Sequence, residues 1–239
     1  MVRMRIATLA AGLMLLGAGW VTAANPPFGG DDSGFDPPNK SKLGKCEDGV
    51  AKASGKLVAS LIKCHADVVG GKATDDEACE GAAIGKFTTK TKTTDCGSCT
   101  NLTTAAATIE SIVDNNNNSV FCQANGTPFG GDDTGNVPAD APKGPQSKCA
   151  VGVGKAVGKL AAAIIKCHIA RADGKTTDDA GEDACEDAAI AKFTAKTKTT
   201  GCDPCVNLTA IAGVVETNSD VGNGLAYCAS SPSGAFVAE

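Results

Sequence analysis

The chain has 239 residues, 27 acidic and 22 basic side chains, a formal charge of −5, and only seven Phe, one Tyr and one Trp. Such an acidic, aromatic-poor composition lacks the basic footprint and stacking surfaces that nucleic-acid binding requires, so nucleic acid is excluded as a partner. It also supplies few large core side chains, and a fold built on Ala, Val, Ile and Leu at this size needs cross-links.

In chain order, a short basic stretch (residues 1–5), an uncharged apolar run (6–21) and the small residues Thr22-Ala23-Ala24 have the form of a secretory signal peptide over residues 1–24. Its removal takes away Arg3, Arg5 and Trp20 and moves the formal charge to about −7. No later apolar run is long enough to span a bilayer. The expectation is a secreted or periplasmic protein with no membrane span after signal removal.

All twelve cysteines follow the signal. In an exported chain an even count at regular spacing reads as a disulfide framework. They form two sets, Cys46, Cys64, Cys79, Cys96, Cys99, Cys122 and Cys149, Cys167, Cys185, Cys202, Cys205, Cys228. The match goes beyond cysteine: Ile62-Lys63-Cys64-His65 recurs as Ile165-Lys166-Cys167-His168, Lys86-Phe87-Thr88 as Lys192-Phe193-Thr194, and Asn101-Leu102-Thr103 as Asn207-Leu208-Thr209. A three-residue insertion after Asp178-Asp179 accounts for the one change of spacing. This is a tandem duplication. A Gly/Pro/Asp-rich N-terminal segment (25–40) precedes the first six-cysteine repeat (41–124), a similar linker (125–146) precedes the second (147–230), and a tail (231–239) follows. The two leading segments also match, Pro27 to Gly34 against Pro128 to Gly135, and their composition reads as turn-rich linker.

Within the first repeat, Cys46, Val50, Ala53, Leu57, Leu61, Cys64 and Val68 recur at helical spacing and predict an amphipathic helix from Ser41 to Val68. Cys46 and Cys64 lie on one face of it, roughly 27 Å apart, so each can staple a helix end to a neighbour. A second helix is expected near Thr74, which with Glu77 has the form of a capping box. A third follows Cys99, capped by Thr100 or Asn101, with Leu102, Ala105, Ala106, Ile109, Ile112 and Val113 on its core face. The fold class is therefore all-α: two tandem disulfide-stapled three-helix units joined by a Gly/Pro/Asp-rich linker. An antiparallel pairing of the first two helices favours Cys64–Cys79 and Cys167–Cys185. It also brings Cys46 toward Cys96 or Cys99, leaving the other of that pair for Cys122 of the same unit.

Three constellations could carry chemistry. The C-x-x-C pairs, Cys96/Cys99 and Cys202/Cys205, precede predicted helices, where a thiol pKa would fall. No surrounding βαβ pattern supports an oxidoreductase, and both pairs belong to even cysteine sets. The two histidines, His65 and His168, each follow the second cysteine of a repeat. With Cys96, Cys99, Cys202 and Cys205 they are the candidate ligands of a Cys/His metal site for zinc or copper. Against that reading, a disulfide-bonded cysteine is no longer a thiolate ligand, so the primary expectation is no cofactor and twelve structural cysteines. A lysine stripe, Lys45, Lys52, Lys56 and Lys63, repeats as Lys148, Lys155, Lys159 and Lys166, opposite the cysteine face. It is the candidate docking face for an unknown acidic protein or a polyanionic surface, set against the ordinary alternative of a solvated helix face. Acidic loops (Asp75, Asp76, Glu77, Glu80; Asp178, Asp179, Glu182, Asp183, Glu186) and the Asp31-Asp32 and Asp132-Asp133 pairs could hold calcium weakly, but they lack the ligand spacing of an EF-hand. They read as loop and linker first, and their opposite sign to the lysines makes self-association a further expectation. Signatures of the common hydrolases and nucleotide-binding enzymes are absent. The functional expectation is a non-enzymatic binding or scaffolding protein presenting two copies of one module. The alternative is Cys/His metal binding or thiol–disulfide exchange.

Overall fold

The structure is a computed structural model that describes residues 24–232. The signal-peptide reading, Ala24 apart, and most of the C-terminal tail lie outside the described residues. Among these residues the chain forms six α-helices and two short antiparallel strand pairs. In order they are β1 (Pro27–Gly29), β2 (Asp32–Phe35), α1 (Lys42–Val69), α2 (Glu77–Lys90), α3 (Leu102–Asn116), β3 (Thr127–Pro128), β4 (Asn136–Val137), α4 (Pro145–Ala172), α5 (Asp179–Lys196) and α6 (Leu208–Asn223). No described helix is long and apolar enough to cross a membrane.

The long helices α1 and α4 start by different means. Ser41 Oγ accepts a hydrogen bond from Gly44 N at α1. At α4, Pro145 opens the helix and the Asp140 carboxylate accepts from the backbone of Gln146 and Ser147. The two helices pack closely on each other because small residues meet where they cross. A Cβ on Gly158 would lie 3.2 Å from Ala59 Cα, and one on Gly55 would lie 3.6 Å from Ala162 Cα. One apolar core results, shared by both repeats, with Leu57 and Leu61 of α1, Ile109 of α3, Leu160 and Ile164 of α4, Ile211 of α6, and Phe121 all buried in it.

Six disulfides tie this body, and no described cysteine is free. Cys64–Cys79 and Cys167–Cys185 join the hairpin ends as the sequence implies, and Cys46–Cys96 and Cys149–Cys202 hold the opposite ends of α1 and α4. The expected closure of Cys99 or Cys96 onto Cys122 within a unit is corrected. The remaining bridges are Cys99–Cys228 and Cys122–Cys205, each joining one repeat to the other. With α1 and α4 packed together, the loop that ends each repeat meets the C-x-x-C turn of its neighbour. The capping box at Thr74 is also corrected: the N-cap of α2 is Asp76, and its side chain makes no capping bond. Asn101 and Asn207 cap α3 and α6 as expected, each accepting from two backbone N–H groups.

Candidate metal centres

Both histidines are fully buried near the C-terminal ends of α1 and α4, and each is surrounded by carboxylates. His65 Nε2 lies 2.7 Å from Asp133 Oδ1, 2.8 Å from Glu80 Oε1, 3.7 Å from Asp114 Oδ1 and 3.8 Å from Asp76 Oδ2. The side chains of all five are at most 3% exposed. His168 Nε2 lies 2.9 Å from Glu186 Oε1, 3.0 Å from Asp32 Oδ1 and 3.4 Å from Asp220 Oδ1. Glu182 completes that group, with a carboxylate oxygen within 4.8 Å of His168 and Asp32. Position by position the two centres correspond: His65 with His168, Asp76 with Glu182, Glu80 with Glu186, Asp114 with Asp220, and Asp133 with Asp32.

Local structure explains the convergence. Asp76 and Glu80 stand four residues apart at the start of α2, so both face α1. The three-residue insertion extends α5 by a turn in front, and Glu182 and Glu186 keep the same spacing inside the helix. Asp114 and Asp220 come from the last turns of α3 and α6. The fifth residue arrives from elsewhere, because each Gly-Gly-Asp-Asp segment crosses to the other repeat. Asp133, in the segment that leads the second repeat, completes the centre of the first, and Asp32, in the segment that leads the first, completes the centre of the second.

The crossings are anchored alike. Thr134 Oγ1 donates to Asp114 O, and Ser33 Oγ to Asp220 O. Asn117 Nδ2 donates to Thr134 O and Asn223 Nδ2 to Ser33 O. Gly34 (φ +97°) and Gly135 (φ +91°) let the segments press in, since a Cβ there would meet Tyr227 O at 2.5 Å or Phe121 O at 2.6 Å.

The polar atoms that converge are left without hydrogen bonds. These include His65 Nε2, Glu80 Oε1 and both carboxylate oxygens of Asp114 and Asp133 in one centre, and His168 Nε2, Asp32 Oδ1, Glu186 Oε1 and both oxygens of Asp220 in the other. The short Nε2–oxygen contacts lack hydrogen-bond angles, and a single N–H could not serve several acceptors. Buried orphans of this kind are costly unless something pairs them.

Protonation shows the same strain. Desolvation would push His65 down, but Asp133 and Glu80 outweigh it and raise the imidazole to about 10. Asp220, Asp32 and Glu186 likewise outweigh burial and raise His168 to about 11. Burial, with like charge nearby, lifts Asp114 to about 8, Asp76 to about 7 and Glu182 to about 8. Burial also raises Glu186 and Asp220, with His168 opposing it. Four carboxylates in one dry pocket call for positive charge. A protonated imidazole supplies one such charge, and a shared cation would supply more: ligands bound at about 2.1 Å stand roughly 3 Å from each other, the spacing of the shortest contacts around both histidines.

The Cys/His ligand set is corrected on this geometry. Cys96, Cys99, Cys202 and Cys205 are all consumed in disulfides. Cys96 is tied to Cys46, at the far end of α1 from His65. His65 and His168 are brought together with acids, several of which looked like loop or linker in the sequence. Asp114 and Asp220 escaped notice, although the two repeats carry a signal for them. Around these residues Ser111-Ile112-Val113 faces Thr217-Asn218-Ser219, and Asn115-Asn116 faces Val221-Gly222, so the acid persists where its neighbours have changed.

Of the lysine stripe, Lys45, Lys52, Lys56, Lys148, Lys155, Lys159 and Lys166 are exposed, and Lys63 pairs with Asp67 on its own helix. Comparison with known protein families, curated proteins and solved structures returns no match for this chain.

Proposed function

We propose that this is an exported, non-enzymatic metal-binding protein, built as two tandem copies that each hold one ion between a histidine and four carboxylates. The observation that carries this reading is the convergence, twice over, of His, Glu and Asp atoms that are buried and lack hydrogen-bond partners. The donors are mainly hard oxygens with one imidazole nitrogen, which suits manganese or iron, with zinc as the main competitor. The same set disfavours the copper and thiolate chemistry that a Cys/His site would imply. Full burial leaves no open coordination position for a substrate, as in closed structural sites, and so supports holding an ion over catalysis. Twelve bridged cysteines fit an oxidising compartment.

Elemental analysis of the purified protein, before and after titration with Mn2+, Fe2+ and Zn2+, tests the reading. The expected content is two ions per chain, falling to one in His65→Ala or His168→Ala and to none in the double variant. Chelation should lower the melting temperature, since an ion bound only by the native state at about 100 times its Kd contributes about 2.7 kcal/mol. Substoichiometric metal after titration, with a melting temperature indifferent to chelator, would refute the proposal.

A further inference from the structure

The metal centres leave the lysines unexplained. Along α4 and α5 runs a groove of about 670 Å3, floored by Ala156, Leu160, Ala189 and Phe193 and rimmed by Lys148, Lys155, Lys159, Lys192, Lys196 and Lys198. All six lysines are exposed, and none forms an ion pair with a described acid, whereas Lys63, Lys72, Arg171 and Lys175 do. Their counterparts in the first repeat, Lys45, Lys52, Lys56, Lys86, Lys90 and Lys92, are exposed and form no ion pair with a described acid, with Asp48 and Asp173 attracting Lys52 from farther off. The protein is acidic overall, and the acids of the two histidine clusters gather at the C-terminal ends of α1 and α4, while these cations line the N-terminal halves of those helices, where Glu47 and Asp48 of α1 are buried and not on the exposed face. Lys45 and Lys148 sit in the first turns of their helices, where the macrodipole disfavours a cation. Charge placed against both the dipole and its own repulsion calls for an anionic partner.

We infer that the lysine-rimmed groove of the second repeat binds a strand of an acidic polysaccharide, its carboxylate or sulfate groups meeting the lysines and its sugar faces covering the apolar floor, and that the matching lysine face of the first repeat engages the same class of ligand. Lys148, Lys155 and Lys159 extend over about 16 Å of helix, which suits a linear ligand with repeated charge better than a single anion. The recessed shape does not suit a flat bilayer. Among the described residues the one exposed large apolar side chain, Val221, lies on α6 and not in the groove. The one aromatic side chain of the groove, Phe193, is buried in its floor, so no stacking platform for bases is present.

The full chain, stripped of metal with chelator, is titrated at low salt with dextran sulfate, with polyuronate and with neutral dextran, and separately with vesicles rich in phosphatidylglycerol. The expected result is saturable, salt-sensitive binding to one or both acidic polymers and none to neutral dextran, with the preferred polymer telling sulfate from carboxylate. Six substitutions across the groove and the matching face of the first repeat (K52Q, K56Q, K86Q, K155Q, K159Q, K192Q) should weaken binding by about tenfold or more. Six outside them (K40Q, K63Q, K72Q, K143Q, K166Q, K175Q), which change net charge equally, should leave it within about twofold. Circular dichroism verifies that both variants keep their helix content. Failure of both polymers to bind, equal loss in the two variants, or binding to vesicles alone would overturn the inference.

Discussion

At the scale of single residues the two candidate metal centres differ in one charge. Arg171 Nη1 lies 3.5 Å from Glu182 Oε2, and Arg171 Nη2 donates to Phe28 O, while the matching position beside the first centre is Val68. A fixed guanidinium on a ligand already neutralises part of the charge that a metal would meet, so the second centre should bind its ion more weakly. Calorimetric titration should therefore resolve two classes of site, about tenfold or more apart, and His65→Ala should remove the tighter one. A second residue, Glu47, is fully buried, and burial raises it to about 8 against the opposing pull of the Ala229 and Cys228 backbone N–H groups. Because the folded pKa stands above the ordinary value, the folded state holds this proton more tightly than the unfolded one. The contribution of Glu47 to stability is therefore fully present below about pH 4.5 and is lost as pH rises through about 8. Glu47→Gln should unfold at higher urea than the parent at pH 8.5, the difference shrinking to near zero or reversing at pH 4.5.

At the scale of elements, the crossing of α1 and α4 depends on the absence of side chains. Gly158→Leu would drive four carbons into Ala59 and its backbone, and a destabilisation of about 1–3 kcal/mol is expected in denaturant titration despite the better helix propensity of Leu. The helices themselves were legible in the sequence. Val50, Leu57, Leu61 and Cys64 marked α1, and Asn101 marked the start of α3, because helical periodicity and caps are local signals. Their partnership was not legible, since the stripe on α1 says that it buries a face but not that α4 covers it. For the same reason the hairpin bridge Cys64–Cys79 could be read from neighbouring elements, and Cys122–Cys205 could not. In the metal centres, His65 was visible as an unusual residue. Asp32 and Asp133 were visible only as weak calcium candidates in Gly-rich linker composition, and only the crossing of the chain brings them to the histidines of the other repeat.

At the scale of the whole molecule, the bridges Cys99–Cys228 and Cys122–Cys205 fasten the repeats to each other independently of the 125–146 connection. A protease nick in that connection, for instance after exposed Lys143, should leave a single species on non-reducing electrophoresis that separates into two chains only on reduction. Migration as two fragments without reductant would contradict the bridging pattern. Acid conditions bear on the metal centres as a set. Protons compete with metal for Asp114, Asp76, Glu182 and both histidines, so ion affinity should fall steadily from pH 8 to pH 5.

The exchanged Gly-Gly-Asp-Asp segments bear on how such a centre could arise at all. A chain with one leading segment and one repeat would hold a histidine and three acids, and the fourth acid would point away from them. Two such chains, related by a twofold axis through the α1–α4 crossing, could trade segments and disulfides reciprocally and complete two centres at once. Tandem fusion makes that trade intramolecular, so each pocket meets its missing acid at the effective concentration set by the chain and not by the abundance of a partner. The bridges Cys99–Cys228 and Cys122–Cys205 then close within one chain, with no second copy to find and orient first.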